Sequence, residues 1–110
     1  MDSREKQDRI LCAEISGAAG RHARIRGPLS PDARAAAVVE LTELAAGRSD
    51  LLARFAGMEV GLYEGDLDEE RHVLAAQLCI EAGADQSQIP RWIEEGRRRA
   101  REVAAARRRA

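Results

Sequence analysis

Small residues recur at every fourth position in one stretch of the chain, at Ala53, Gly57, Gly61 and Gly65. Leu51, Phe55, Met58 and Leu62 run through the same stretch at i, i+4, i+7 and i+11, the spacing of one helix face. On a helix, Ala53, Gly57 and Gly61 line up, with Gly65 at or just past the end. Each interior glycine costs such a helix about 1 kcal/mol against alanine. A close contact should offset that loss, most simply another helix backbone lying where the side chains are missing. In membranes this motif pairs helices. Here charges flank it, and no apolar run approaches the ~20 residues that span a bilayer. The stripe therefore demands closely packed helices. Its occupant is either a helix of the same chain or a second molecule. The second reading makes Ala53, Gly57, Met58, Gly61, Leu62 and Tyr63 a candidate interaction groove.

The rest of the punctuation divides the chain into further helices. The first runs from Ser3 to about Arg26, with Ile10, Leu11, Ile15 and Ala18 on one side, before Gly27-Pro28 breaks it. Ser30 is a good N-cap, with Pro31 at the first helical position and Asp32 in the first turn. That helix runs to about Ala46 and stops at Gly47. Ser49 or Asp50 caps the glycine-striped helix. Asp66 and Glu69 then fit a capping box for a helix carrying Val73, Leu74 and Leu78 and stopping at Gly83. The last helix starts between Asp85 and Pro90 and runs through Trp92, Ile93, Ala100 and Val103. No stretch alternates as a strand would. The expected fold is all-α, a compact single-domain bundle or orthogonal array of about five helices. Within 1–110, residues 1–29 form an N-terminal helix and linker, 30–103 the helical core, and 104–110 a frayed basic tail.

Apolar residues are 45% of the 110, but alanine supplies much of that, and Phe55, Tyr63 and Trp92 are the only aromatics. A core so thin in bulk again requires close helix approach, and Trp92 is expected to be a mostly buried anchor. Net charge is −1 and Lys6 is the only lysine. The arginine bias looks like codon usage, so arginine counts alone carry little functional weight. Their distribution is uneven. Acidic residues dominate from Glu59 to Asp85, and arginines dominate from Arg91 onward. Glu94 with Arg98 and Glu95 with Arg99 have the spacing of helical ion pairs.

Catalytic and metal-binding patterns are lacking. Cys12, His22, His72 and Cys79 could be combined into a zinc site on paper. However, His72 and Cys79 are separated by about 10 Å of helix rise, too far to share a metal. The acidic run from Glu64 to Glu70 lacks the glycine and distal glutamate of a calcium loop. No phosphate-binding glycine loop, CxxC or Ser/His/Asp grouping is present. No catalytic residue, cofactor or metal is expected. Two widely spaced cysteines and an N-terminus without an apolar run predict neither a disulfide framework nor a signal peptide, which makes a cytoplasmic location the default.

The stretch Leu78-Cys79-Ile80-Glu81-Ala82-Gly83-Ala84-Asp85-Gln86-Ser87-Gln88-Ile89-Pro90-Arg91-Trp92-Ile93 resembles a helix-turn-helix. Arg91-Trp92-Ile93-Glu94-Glu95-Gly96-Arg97 is similar to recognition-helix endings in excisionase-type DNA-binding proteins. That resemblance implies a small DNA-binding regulator using residues 74–99, with Arg91, Arg97, Arg98 and Arg99 as candidate nucleic-acid contacts. Pro90 requires the recognition helix to begin at about Ser87 or Ile89, and Asp85, Glu94 and Glu95 on the reading surface repel phosphate. The closing stretch from Ile89 to Ala100, with Gly61-Leu62-Tyr63-Glu64-Gly65-Asp66-Leu67-Asp68 before it, also resembles small uncharacterised helical proteins of actinobacteria, which implies a bacterial setting and no activity. The glycine stripe, thin core and opposed charge blocks point to a non-catalytic protein that pairs with itself, as a homodimer, or with a helix of a protein partner. DNA binding is the alternative.

Overall fold

The computed structural model describes residues 2–24 and 28–109. Its helices are α1 (Ser3–Ala23), α2 (Pro31–Ala45), α3 (Ser49–Leu62), α4 (Glu69–Glu81) and α5 (Ile89–Arg109), with a 3-10 turn, Gln86–Gln88, ahead of α5. No strand occurs among the described residues, and the fold is an all-α bundle. The break expected at Gly27 and the expected first-helix end at Arg26 lie outside the described residues.

Local chemistry accounts for most helix ends. The Asp2 carboxylate accepts from the Arg4 N–H at the start of α1, and Ser30 Oγ accepts from the Ala33 N–H at the start of α2. The stop after α2 uses two residues rather than Gly47 alone. Ala46 has φ +49° and Gly47 φ +84°. A left-handed alanine costs about 1–2 kcal/mol. The sharp α2–α3 turn it permits brings Arg48 back against α1.

Two expected caps are corrected. The residue preceding α3 is Arg48, which makes no side-chain cap bond, and neither Ser49 nor Asp50 caps the helix. Asp50 instead holds Arg48 at 3.0 Å, while Asp8 of α1 holds the same guanidinium at 2.9 Å. This bracket ties α1 to the α2–α3 turn. At α4 the residue in the cap position is Asp68, without a side-chain cap bond. Asp66 accepts from the Asp68 N–H within the loop, so no Asp66–Glu69 capping box forms.

The largest fully buried side chains are Ile15, Leu41, Leu78 and Cys79, surrounded by alanines of α1, α2, α3 and α4. α1 is part of this core, through Ile15, Ala18, Ala19 and Ala23, rather than an appendage to it. α3 is the central element and packs against every other helix. α5 packs on α3 and on the 3-10 turn but on no other helix to any comparable extent.

The α3–α5 contact answers the question the glycine stripe posed. An atom at the Cβ position of Gly57 would lie 2.5 Å from Trp92 Cβ and 2.7 Å from the Ile89 carbonyl oxygen. At Gly61 the corresponding distance is 2.1 Å, to the Ile93 carbonyl oxygen. Gly96 of α5 reciprocates, its absent Cβ lying 2.6 Å from the Met58 carbonyl oxygen. The partners climb both helices together, Gly57 with Ile89 and Gly61 with Ile93 and Arg97, so α3 and α5 run parallel.

Candidate functional site

The residues expected to form an interaction groove separate onto different surfaces. Ala53, Gly57 and Gly61 are buried, and the two glycines lie under α5 of the same chain. The glycine face is thus filled intramolecularly and is not an open groove. Leu62 and Tyr63 are half-buried at the end of α3. Met58 meets Gly96 through its backbone and lines a different depression.

That depression is a groove of about 440 Å³ between α1 and α5, floored by α3. Phe55 and Met58 of α3, Cys12 and Ala13 of α1 and Trp92 of α5 give it an apolar lining. It exists because α1 and α5 both pack on α3 without packing on each other. Arg9, Arg54 and Arg99 stand around it, with Glu59 and Glu95. Trp92 is intermediate in exposure, and two cations cover its ring. The Arg54 and Arg91 guanidinium carbons lie 5.0 and 4.7 Å from the ring centroid, within cation–π range. Its indole Nε1 is buried with no hydrogen-bond partner, a cost of about 1–3 kcal/mol.

A second cavity, about 210 Å³, adjoins the first and shares Ser16 and Glu59 with it. Its distinguishing feature is His72 on α4, which is buried. His72 Nδ1 lies 2.6 Å from Glu59 Oε1 on α3. The Tyr63 ring stacks on the imidazole at 3.8 Å between centroids and 7° between planes. Arg24 and Arg71 complete the charged lining. In the sequence His72 stands as an isolated residue. Glu59 and Tyr63 are on or next to α3, and only the return of α4 along α3 brings the three together. Sequence spacing does not display that relationship.

The candidate nucleic-acid contacts do not share one surface. Arg97 is bound to Glu64 at 2.7 Å and lies 3.8 Å from Glu94. Arg98 is held by Glu95 and Glu102. The expected Glu94–Arg98 and Glu95–Arg99 pairs do not form. Glu94 instead reaches Arg101 at 3.4 Å. Arg91 stacks on Trp92, and Arg99 lines the groove. α4 and α5 pack on α3 rather than on each other.

Burial pushes the Cys79 thiol up to about 12 and raises that of Cys12 as well, so both are poor nucleophiles at neutral pH. No cluster of metal-ligating side chains occurs among the described residues. No helix there is long and apolar enough to cross a membrane. His22 is engaged by Glu40. Comparison with protein-family models, curated proteins and solved structures returned no match.

Proposed function

We propose that this chain is a non-catalytic interaction module whose α1–α5 groove receives an acidic amphipathic helix of a partner protein. The observation that carries this reading is an apolar floor set among arginines whose charge is incompletely matched. Arg9 and Arg54 share a single carboxylate, Glu5, at 3.3 and 3.8 Å. Arg99 has no ion pair among the described residues. Of the groove's own carboxylates, Glu95 is paired with Arg98, and Glu59 is hydrogen-bonded to His72. Aromatic, methionine and arginine side chains at the centre of a concave patch are the composition of protein interfaces. Met58 adds an adaptable surface. Apolar anchors of a helix would seat on Phe55, Met58 and Trp92, and its flanking carboxylates would meet the arginines.

The helix-turn-helix alternative has weaker support. Its two helices are packed on α3 rather than on each other, and Arg97 and Arg98 already hold carboxylates.

The test is a designed helix about 18 residues long, enough to be helical alone, with leucine at i, i+3, i+4 and i+7 and glutamate on both flanks. Trp92 fluorescence and calorimetry read its binding. The expected result is saturable binding, weakened about tenfold or more by Arg54→Glu and lost when lysine replaces the flanking glutamates. Equal binding of both peptides, or none of either, with circular dichroism showing the protein folded, overturns the reading.

A further inference from the structure

We infer that the cavity beside His72 is a binding site for a small protonated oxyanion of the phosphate class, either free phosphate or a small phosphate monoester. The cavity adjoins the peptide groove and shares Ser16 and Glu59 with it, but the contacts argued here come from other residues, His72, Arg24 and Arg71. The imidazole is the starting point. His72 is 8% exposed. A neutral ring oriented by Glu59 carries its proton on Nδ1 and donates it to that carboxylate. Nε2 is then an acceptor. It has no hydrogen bond within the chain, and it is not buried, since Trp92 Nε1 is the only buried unpartnered side-chain N or O among the described residues. Nε2 is therefore accessible, on a residue that lines the cavity. Tyr63, stacked on the ring face, fixes its plane.

The cavity's other charged groups set the ligand's chemistry. Arg71 has one ion pair, to Asp68, at a long 3.5 Å, and Arg24 has none among the described residues. Guanidinium groups present paired N–H donors suited to oxyanions. A ligand that satisfies the whole site needs anionic oxygens for Arg24 and Arg71 and one O–H for Nε2. Phosphate monoesters, with a second ionisation near 6, and inorganic phosphate, about one unit higher, carry both in their monoprotonated form at mildly acidic pH. Sulfate carries no O–H at neutral pH. The volume limits size as well. At about 210 Å³ the cavity is below the roughly 300–1,000 Å³ of drug-sized sites, a size that suits a phosphate group.

The test uses the whole chain with inorganic phosphate, methyl phosphate and sulfate at matched ionic strength. Nitrogen-15 NMR of the His72 ring and the thermal midpoint are the readouts. The expected result is a saturable shift of Nε2 and a rise in midpoint with phosphate, absent with sulfate. Arg71→Gln should weaken binding about tenfold or more while Arg91→Gln leaves it unchanged. Methyl phosphate binding as well identifies monoesters as the ligand, and exclusion of methyl phosphate identifies the free ion. No phosphate-dependent shift of Nε2, equal binding of sulfate, or unaltered binding by Arg71→Gln overturns the inference. Arg71 is partly exposed, so its replacement should leave the fold intact.

Discussion

The two halves of α5 share an abundance of arginine and stand in different physical circumstances. The inner half holds Ile89, Trp92 and Ile93 and no alanine, while the outer half holds four alanines and Glu102 as its one carboxylate. From Ile89 to Arg97 the helix is pressed onto α3 at Gly57 and Gly61, with Gly96 returning the contact and Arg97 bound to Glu64. Beyond that point residues 101–104 and 106–109 are exposed, Val103 among them. The helix is 21 residues, or about 31 Å long, while α3 at 14 residues spans about 21 Å. A parallel helix that starts at Gly57's level must overrun its support. The inner half is held by the absence of side chains, which lets backbones meet. The outer half retains its helix through ion pairs such as Arg98 with Glu102, each worth about 0.2–0.5 kcal/mol.

The largest test of this contrast is Gly61→Leu. Its Cβ alone would fall 2.1 Å from a backbone carbonyl oxygen, and backbone cannot rotate away as a side-chain tip can. Overpacking of this kind costs about 1–3 kcal/mol, occasionally more, and exceeds the ~1 kcal/mol that removing a helical glycine returns. We expect a net loss of about 1–2 kcal/mol, a fall of roughly 4–16 °C in thermal midpoint. Gly17→Leu in α1, where nothing lies within 4 Å of the absent Cβ, should be neutral or slightly stabilising. Equal effects at the two positions would mean that α3 and α5 are not in backbone contact.

The same glycines show what a sequence can disclose. Their four-residue spacing, against their helix cost, demands a close helix neighbour from the pattern alone. Which helix fills the space depends on the path of the chain, and a second molecule also satisfies the local pattern. Ser30-Pro31 specifies its helix start because the needed atoms lie within three residues of one another. Arg48 is illegible for the opposite reason, since its partners Asp8 and Asp50 are brought together by a left-handed Ala46 that no alanine preference predicts. His72 with Glu59 and Tyr63 is of that second kind, and so is the groove beside Trp92, which is a gap left between helices. No motif encodes it.

A smaller effect is expected at the junction of the two halves. Arg97's hydrogen bond holds the Glu64 carboxyl below its ordinary value of 4.5. A carboxyl depressed in the folded state contributes stability that is present above its unfolded value and lost as pH falls through the folded one. The urea midpoint of the protein should therefore exceed that of Glu64→Gln at about pH 6, and the difference should close as pH drops below 4.5 and then through the lowered folded value. A constant gap across this range would show that the Glu64→Gln variant differs from the parent by packing and not by charge.

The smallest effect should come from ending the chain after Ala100. The residues removed bury little, and a segment this short is marginal as an isolated helix. The urea midpoint should move by no more than about 0.5 kcal/mol in equivalent stability, and binding of the acidic helix to the groove should persist, because Arg99 and Trp92 remain. Amide exchange should match, protected over residues 93–97 and fast over 104–109. A loss above about 1 kcal/mol would mean that the outer half is packed on something. Dependence of that loss on protein concentration would then identify a second copy of the chain as its support, and independence would place the contact within one molecule.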